Sequence, residues 1–175
     1  VKGRVRAMKG TFSGGTLASF KETMKAAAKT PGMVEILTNP FALTEGVAGP
    51  KQPSGATPVF EEELDSWSAP FVMASINTKN VHRSNFLLAH EYGEDFVYDE
   101  MMFTGPGEVG EATAKAVAAD KSMAQSPLKP GEGPSKEERE AGFYDVLFIG
   151  SNDKGDVIKV GVKGDKDPGY GSTSK

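Results

Sequence analysis

The sequence contains no cysteine. That excludes disulfides, thiolate nucleophiles and cysteine-ligated metals, and it suits a reducing compartment. It has no apolar run near the roughly 20 residues that a membrane-spanning helix needs, and a signal peptide is not expected from its opening residues. Positive charge is in deficit as well: 20 Lys and Arg stand against 24 Asp and Glu, for a formal net charge of −4. Phosphate backbones are bound by clustered basic surface, so nucleic acid is not the expected partner. What is present is a globular composition, 38% hydrophobic and 25% charged over 175 residues, enough for one domain with its own core. The chain opens at Val1 inside a strand-like pattern and stops at Lys175 soon after a glycine-rich turn. Such ends are expected of a piece of a longer protein.

The hydrophobic pattern predicts an α+β domain over 1–175, with a mainly antiparallel or mixed sheet and helices on one face. Residues 1–12 alternate, Val1, Val5 and Ala7 on one side and Lys2, Arg4 and Arg6 on the other, as in a half-buried strand. After Ser13-Gly14-Gly15-Thr16 a helix follows with Leu17, Phe20, Met24 and Ala27 on one face; Ser13 or Thr16 can cap it, and Pro31-Gly32 stops it. Residues 38–58 read as a long surface excursion. A second helix is expected over 78–92, burying Val81, Leu88, Ala89 and Tyr92, with Gly93 as its stop. A strand is expected near 96–103. A third helix over 108–125 would bury Val109, Ala112, Ala116, Ala119 and Met123. A hairpin closes the pattern: 143–150, a turn through Asn152 to Gly155, then 157–162, with Ile158, Val160 and Val162 on one face opposite Lys159 and Lys163.

Gly105-Pro106-Gly107-Glu108-Val109-Gly110 spells GxGxxG between a strand and a helix. The context argues against a dinucleotide site. The strand before it carries Asp99 and Glu100, Glu108 sits where phosphates would lie, and a proline-rich loop follows the helix where a second parallel strand belongs. The simpler reading, a tight turn opening a helix, is preferred. No cofactor site and no metal site are expected within this chain.

Three stretches carry a resemblance: Gly10 to Ser19 (GTFSGGTLAS); Asn80-Val81-His82-Arg83-Ser84-Asn85 with Tyr92 to Phe96; and Pro130 to Pro134 (PGEGP) through Arg139-Glu140 to Gly164 to Gly171 (GDKDPGYG). In this order the chain resembles the saccharopine dehydrogenase-like oxidoreductases, which include trans-acting enoyl reductases of complex-lipid synthesis. The resemblance implies a second, substrate-side domain, inserted into an N-terminal Rossmann domain that is absent here. It further implies NAD(P)H for the parent protein, a small-molecule or lipid-linked enoyl or keto substrate, and a possible homodimer.

The residues themselves nominate several sites. Ser13, Gly14, Gly15 and Thr16 lie at a strand-to-helix junction whose free N–H groups could hold a carboxylate or carbonyl oxygen; the alternative is a capping turn. Arg83 could grip a carboxylate, and His82 could donate a proton near neutral pH. Neighbours on a helix point about 100° apart, so both cannot face one ligand. His90 is expected to be structural or exposed. Tyr170, flanked by glycines, is placed either to donate to a substrate oxygen or to mark the chain's return to the missing domain. Tyr170 and His82 are thus the catalytic candidates. Ser13 to Thr16, Arg83 and Tyr170 are the substrate-binding ones. Lys2, Arg4 and Arg6 with Lys159 and Lys163 could form a basic sheet face for an anionic lipid surface or an acidic partner, or simply a solvated one. The expected function is the substrate side of an NAD(P)-dependent oxidoreductase, this chain alone being inactive. The alternative is a non-catalytic dimerisation or lipid-docking domain. The expected location is cytoplasmic, or peripheral to a membrane or lipid droplet.

Overall fold

The computed structural model describes residues 1–170. Six strands, β1 (Lys2–Lys9), β2 (Val59–Glu61), β3 (Ser66–Pro70), β4 (Asp99–Gly105), β5 (Phe143–Ser151) and β6 (Val157–Asp165), form one sheet in the order β2-β3-β4-β1-β5-β6. Only β1 and β4 run parallel; the other pairings are antiparallel. Helices α1 (Gly14–Lys29), α2 (Met33–Thr38), α3 (Ala74–Leu87), α4 (Gly107–Ala119), α5 (Ser122–Gln125) and α6 (Lys136–Glu140) complete an α+β architecture with a mixed sheet, the class expected from the sequence. Among the described residues no helix is long and apolar enough to cross a membrane.

The sheet is held by packing at one end and by charge in the middle. Helix α4 lies on β3 and β4, where Ala69 and Ala114 are both fully buried. Gly110 permits this approach: a Cβ there would fall 1.9 Å from the Gly105 carbonyl oxygen. The GxGxxG glycines thus open a helix that sits hard against its strand. The next strand, β5, runs antiparallel to β1, so no parallel strand follows α4 as a dinucleotide fold requires.

Arg4 departs from the alternation expected of β1. It is 2% exposed, with Nε 2.5 Å from Glu61, Nη2 3.1 Å from Glu61 and 2.9 Å from Asp99, and Nη1 donating to the Gly3 carbonyl at 2.8 Å. Three strand spacings separate β2 from β1, about 14 Å across a flat sheet. The sheet must therefore curl for Glu61 to reach Arg4. Burial raises the Glu61 pKa, but the hydrogen bonds from Arg4 and Ser68 outweigh it and hold the carboxyl below its usual range. Lys2 reaches Glu61 and Glu63, while Arg6 and Lys163 share Asp145. The row read as a basic face is therefore neutralised almost pair by pair.

Several boundaries differ from those the sequence suggested. Helix α3 starts at Ala74 and ends at Leu87, and its buried residues are His82 and Asn85; Leu88, Ala89 and Tyr92 are exposed. The cause is Asn85, whose side chain donates to the Gly93 carbonyl at 2.8 Å and accepts from the Tyr92 N–H at 2.9 Å. That turn takes Ala89 (φ 52°) and His90 (φ 61°) into left-handed backbone and ends the helix early. The single helix expected over 108–125 is two: α4 ends at its C-cap Asp120, whose carboxylate accepts the Ser122 N–H and hydroxyl at 2.8 Å each as α5 begins. Val109, expected inside, is 79% exposed, and α4 buries Gly110 and Ala114 instead.

Candidate active site

Helix α1 begins where β1 ends, and Ser13 caps it by accepting the Thr16 N–H on Oγ at 3.2 Å. The other N-terminal amides are mostly used within the protein. Gly14 N–H donates to the Glu132 carbonyl at 2.8 Å, and Leu17 N–H to the Ser13 carbonyl at 3.0 Å. Residues 129–132 press so closely on this turn that a Cβ on Gly14 would lie 1.7 Å from the Lys129 carbonyl oxygen. The amide cradle expected for a substrate oxygen is thus largely filled by the chain itself. What it presents outward is a hydroxyl cluster.

Tyr170 arrives at this cluster from the far end of the chain. Its phenol oxygen accepts the Ser13 N–H at 3.0 Å, shares a 2.7 Å hydrogen bond with Thr16 Oγ1, and donates to Ser13 Oγ at 3.2 Å. Burial raises the phenol pKa, yet these bonds from Ser13 and Thr16 prevail and bring it below its ordinary value. Asp167 sets the position. It is 2% exposed, and its carboxylate accepts the N–H groups of Gly169 and Tyr170 at 2.8 Å each and of Thr11 at 3.3 Å. Its own N–H donates to the Arg139 carbonyl at 2.7 Å. Gly142 allows that approach, since a Cβ there would stand 2.4 Å from the Asp167 nitrogen. Gly171, the last residue of the motif, lies outside the described residues.

The cluster borders an open cavity of about 520 Å³. Met8, Phe12, Phe71, Val72 and Met102 make its walls apolar, while Thr16, Tyr170, Asp167 and Asn77 supply polar groups. This is the composition of a small-molecule site: mostly apolar, with a few fixed polar atoms. The structure brings Ser13, Thr16 and Tyr170 together, and Gly14 and Gly15 with them. It does not bring His82 or Arg83. His82 is 2% exposed, its ring 4.5 Å from Phe41 and 5.9 Å from Phe96; burial lowers its pKa and Nε2 has no partner. Arg83 donates to the Leu43 carbonyl at 2.5 Å, tying down the excursion over 38–58. His90 stacks edge-on against Phe86, with centroids 6.1 Å apart. Asn77 and the Phe71–Val72–Met73 segment drew no attention in the sequence. They enter the site only because α3 starts earlier than its apolar pattern suggests.

A protein of Mycobacterium tuberculosis (strain H37Rv) assigned by name as a trans-acting enoyl reductase is 34% identical to this chain across 97% of its length. The chain is thus similar to part of a mycobacterial protein that carries this name. Proteins of that name from Mycobacterium bovis and Mycobacterium ulcerans align with 75% of the chain at 32% and 28% identity. The chain spans less than half the length of these relatives: 46% of the first and 38% of the other two. No family model matches the chain, and no solved structure matches it.

Proposed function

We propose that this chain is the substrate-side α+β domain of an enoyl-reducing oxidoreductase, within the saccharopine dehydrogenase-like group. The observation that carries this reading is the convergence of Ser13, Thr16 and Tyr170 on one phenol oxygen at the edge of a mostly apolar cavity. The names its relatives carry support the reaction class. That Gly110 seats α4 against Gly105, and that the next described strand runs antiparallel, supports looking for the dinucleotide outside these residues. In this proposal NAD(P)H belongs to the parent protein and is held by a Rossmann domain outside these residues, with this chain alone inactive.

Saturating an enoyl carbonyl compound adds a hydride and a proton across C=C and passes negative charge through the carbonyl oxygen. This chain serves the proton and charge side. A substrate carbonyl seated against the cluster would take the hydrogen bond that Tyr170 now gives to Ser13 Oγ. The Ser13 N–H, the Thr16 hydroxyl and the α1 N-terminus stabilise whatever negative charge Tyr170 acquires. A phenol already held below its ordinary pKa donates its proton more readily. The Tyr170→Phe variant tests this role. Binding of crotonyl-N-acetylcysteamine, measured calorimetrically, is expected to weaken by about 1 kcal/mol, the worth of one hydrogen bond. Unchanged affinity would remove Tyr170 from the site.

A second reading, a non-catalytic dimerisation or lipid-docking domain, is favoured by one feature. On β6, Ile158, Val160 and Val162 are 66%, 48% and 40% exposed along one face of an edge strand. Light scattering before and after Val160→Glu tests it, and a monomer at high concentration counts against a dimer built there. We place the protein in the cytoplasm or at the periphery of a membrane or lipid droplet; fractionation of cells expressing the full parent tests this.

A further inference from the structure

Residues 39–58 join α2 to β2 without a helix or strand of their own, and one ring fastens the first part of them to α3. Asn39 Oδ1 accepts the Phe41 N–H at 2.9 Å, and the Phe41 carbonyl accepts the Thr44 N–H at 3.0 Å and hydroxyl at 2.9 Å. This tight turn sets the Phe41 ring 4.5 Å from that of His82. The chain then doubles back past the same ring, so closely that a Cβ on Gly49 would stand 2.2 Å from it. Further on, Gln52 donates to the Phe96 carbonyl at 3.2 Å and accepts the Tyr98 N–H at 2.9 Å. Phe96 meets His82 edge-on at 5.9 Å and stacks on Tyr98 at 6.1 Å. The Tyr98 hydroxyl donates to Glu100 at 2.7 Å, and Glu100 accepts from Asn77 Nδ2 at 2.8 Å, in the wall of the Tyr170 cavity. A connected set of contacts thus leads from His82 to that wall.

His82 is the member of this box that can gain a charge near neutral pH, and its buried Nε2 has no partner. The charged and titratable groups around it are Lys79 and Arg83 on α3, Glu45 on the excursion, and Asp99 and Glu100 on β4. Beside Phe96 stand His90, Glu91, Tyr92, Glu94, Asp95 and Tyr98. Among the described residues none of these bonds to the imidazole, and burial alone lowers its pKa. Lys79 and Arg83 are spent on the Leu37 and Leu43 carbonyls, and Asp99 on Arg4. A proton on the ring would therefore be a buried cation without a counter-ion, tolerable only if the ring gains water. We infer that residues 39–52 are a proton-operated latch: when His82 is protonated Phe41 leaves α3, the strap lifts, and Gln52 releases the Phe96–Tyr98 segment that steadies Asn77. The strap is the part that gives way. Among the described residues, its bonds to the body of the fold are those through Arg83 and Gln52, whereas His82 is fixed in a helix. That the latch regulates a substrate site rests on the reading of the Tyr170 cavity above; the opening itself does not.

Opening takes up one proton, because the ring's pKa is lower when the strap is closed. The open population therefore rises by up to about tenfold for each pH unit below about 6.5. Hydrogen exchange read by NMR on the 175-residue chain between pH 7 and pH 5 tests this. Protection factors of the Ala42, Thr44 and Tyr98 N–H groups should fall with that slope. They should lie at least about tenfold below those of β1 and β5 and ignore dilute urea, as a local opening does. The Asn77 side-chain amide should shift with the same midpoint as the His82 ring protons. His82→Phe cannot take up the proton, and its strap protection should stay level across the range. Strap protection indifferent to pH, or equally pH-dependent in His82→Phe, overturns the latch. So does exchange of strap and sheet at one urea-sensitive rate, which would be global unfolding. An unmoved Asn77 amide beside an opening strap overturns the link to the cavity. Failure of crotonyl-N-acetylcysteamine to bind at pH 7.5, with the strap closed, would remove the enoyl reading and leave the opening in place, a separable result.

Discussion

Gly14 and Gly15 are neighbours in the first turn of α1, and the structure gives them opposite responses to alanine. Helix propensity alone favours alanine at both, by up to about 1 kcal/mol each. At Gly14 the new Cβ would fall 1.7 Å from the Lys129 carbonyl oxygen and 2.3 Å from its carbon, and neither backbone atom can swing aside. The 129–132 segment must lift, which breaks the Gly14 N–H bond to Glu132. Overpacking costs about 1–3 kcal/mol and the lost hydrogen bond about 1 more. After the propensity gain, Gly14→Ala should destabilise by about 1–3 kcal/mol. At Gly15 the nearest atom is Ser13 Oγ at 3.7 Å, ordinary contact, so Gly15→Ala should be neutral or stabilising by up to about 1 kcal/mol. Guanidinium unfolding of the two variants beside the parent chain measures both. If Gly14→Ala matches Gly15→Ala in sign, the packing of the PGEGP loop on the site's capping turn is wrong.

Removing the partner of a buried charge should be worse. Glu61→Ala leaves Arg4 with Asp99 as its one charged partner and should cost about 3–5 kcal/mol in chemical unfolding. Because the Glu61 carboxyl sits below its usual range when folded, its stabilisation is present above the unfolded value near 4.5 and drains away as pH falls through the lower folded value. A plot of unfolding free energy against pH that stays flat below 4.5 would contradict this. His82 works in the same direction at higher pH. Its folded pKa is lowered by burial, so the unfolded chain takes up the proton first and stability falls as pH drops below about 6.5. The urea midpoint should therefore be lower at pH 5.5 than at pH 7.5, and His82→Phe should remove that difference. Asp167→Ala orphans the N–H groups of Thr11, Gly169 and Tyr170. It should release the Tyr170 phenol, seen as a return of its spectrophotometric titration toward the ordinary tyrosine value.

The parts of the fold legible in the sequence are those whose signals are local. Period-2 alternation located β1 and the β5–β6 hairpin, and Ser13 ahead of an apolar stripe located α1 and its cap. Strands β2 and β3 were missed because Ser66-Trp67-Ser68-Ala69-Pro70 neither alternates nor runs apolar; its buried Ser68 donates to Glu61 in the Arg4–Glu61 charge cluster. Burial of Arg4 could not be read locally either, since its partner Glu61 lies 57 residues away. The site shows the same division. Glycines beside Ser13, Thr16 and Tyr170 marked positions where backbone comes close, but their convergence depends on Asp167 meeting Thr11 across 156 residues. His82 and Arg83 looked chemical in sequence for want of tertiary context. An aromatic box around one and a loop carbonyl beside the other show what each does in the fold.

The most direct test of the account is the carbonyl ¹³C resonance of [1-¹³C]crotonyl-N-acetylcysteamine bound to this chain. With the Ser13–Thr16–Tyr170 cluster holding the oxygen, the bound resonance moves downfield, and in Tyr170→Phe most of that movement is lost while the chain stays folded. A bound resonance that is the same in both proteins would contradict the claim that this hydroxyl cluster is where the substrate carbonyl sits.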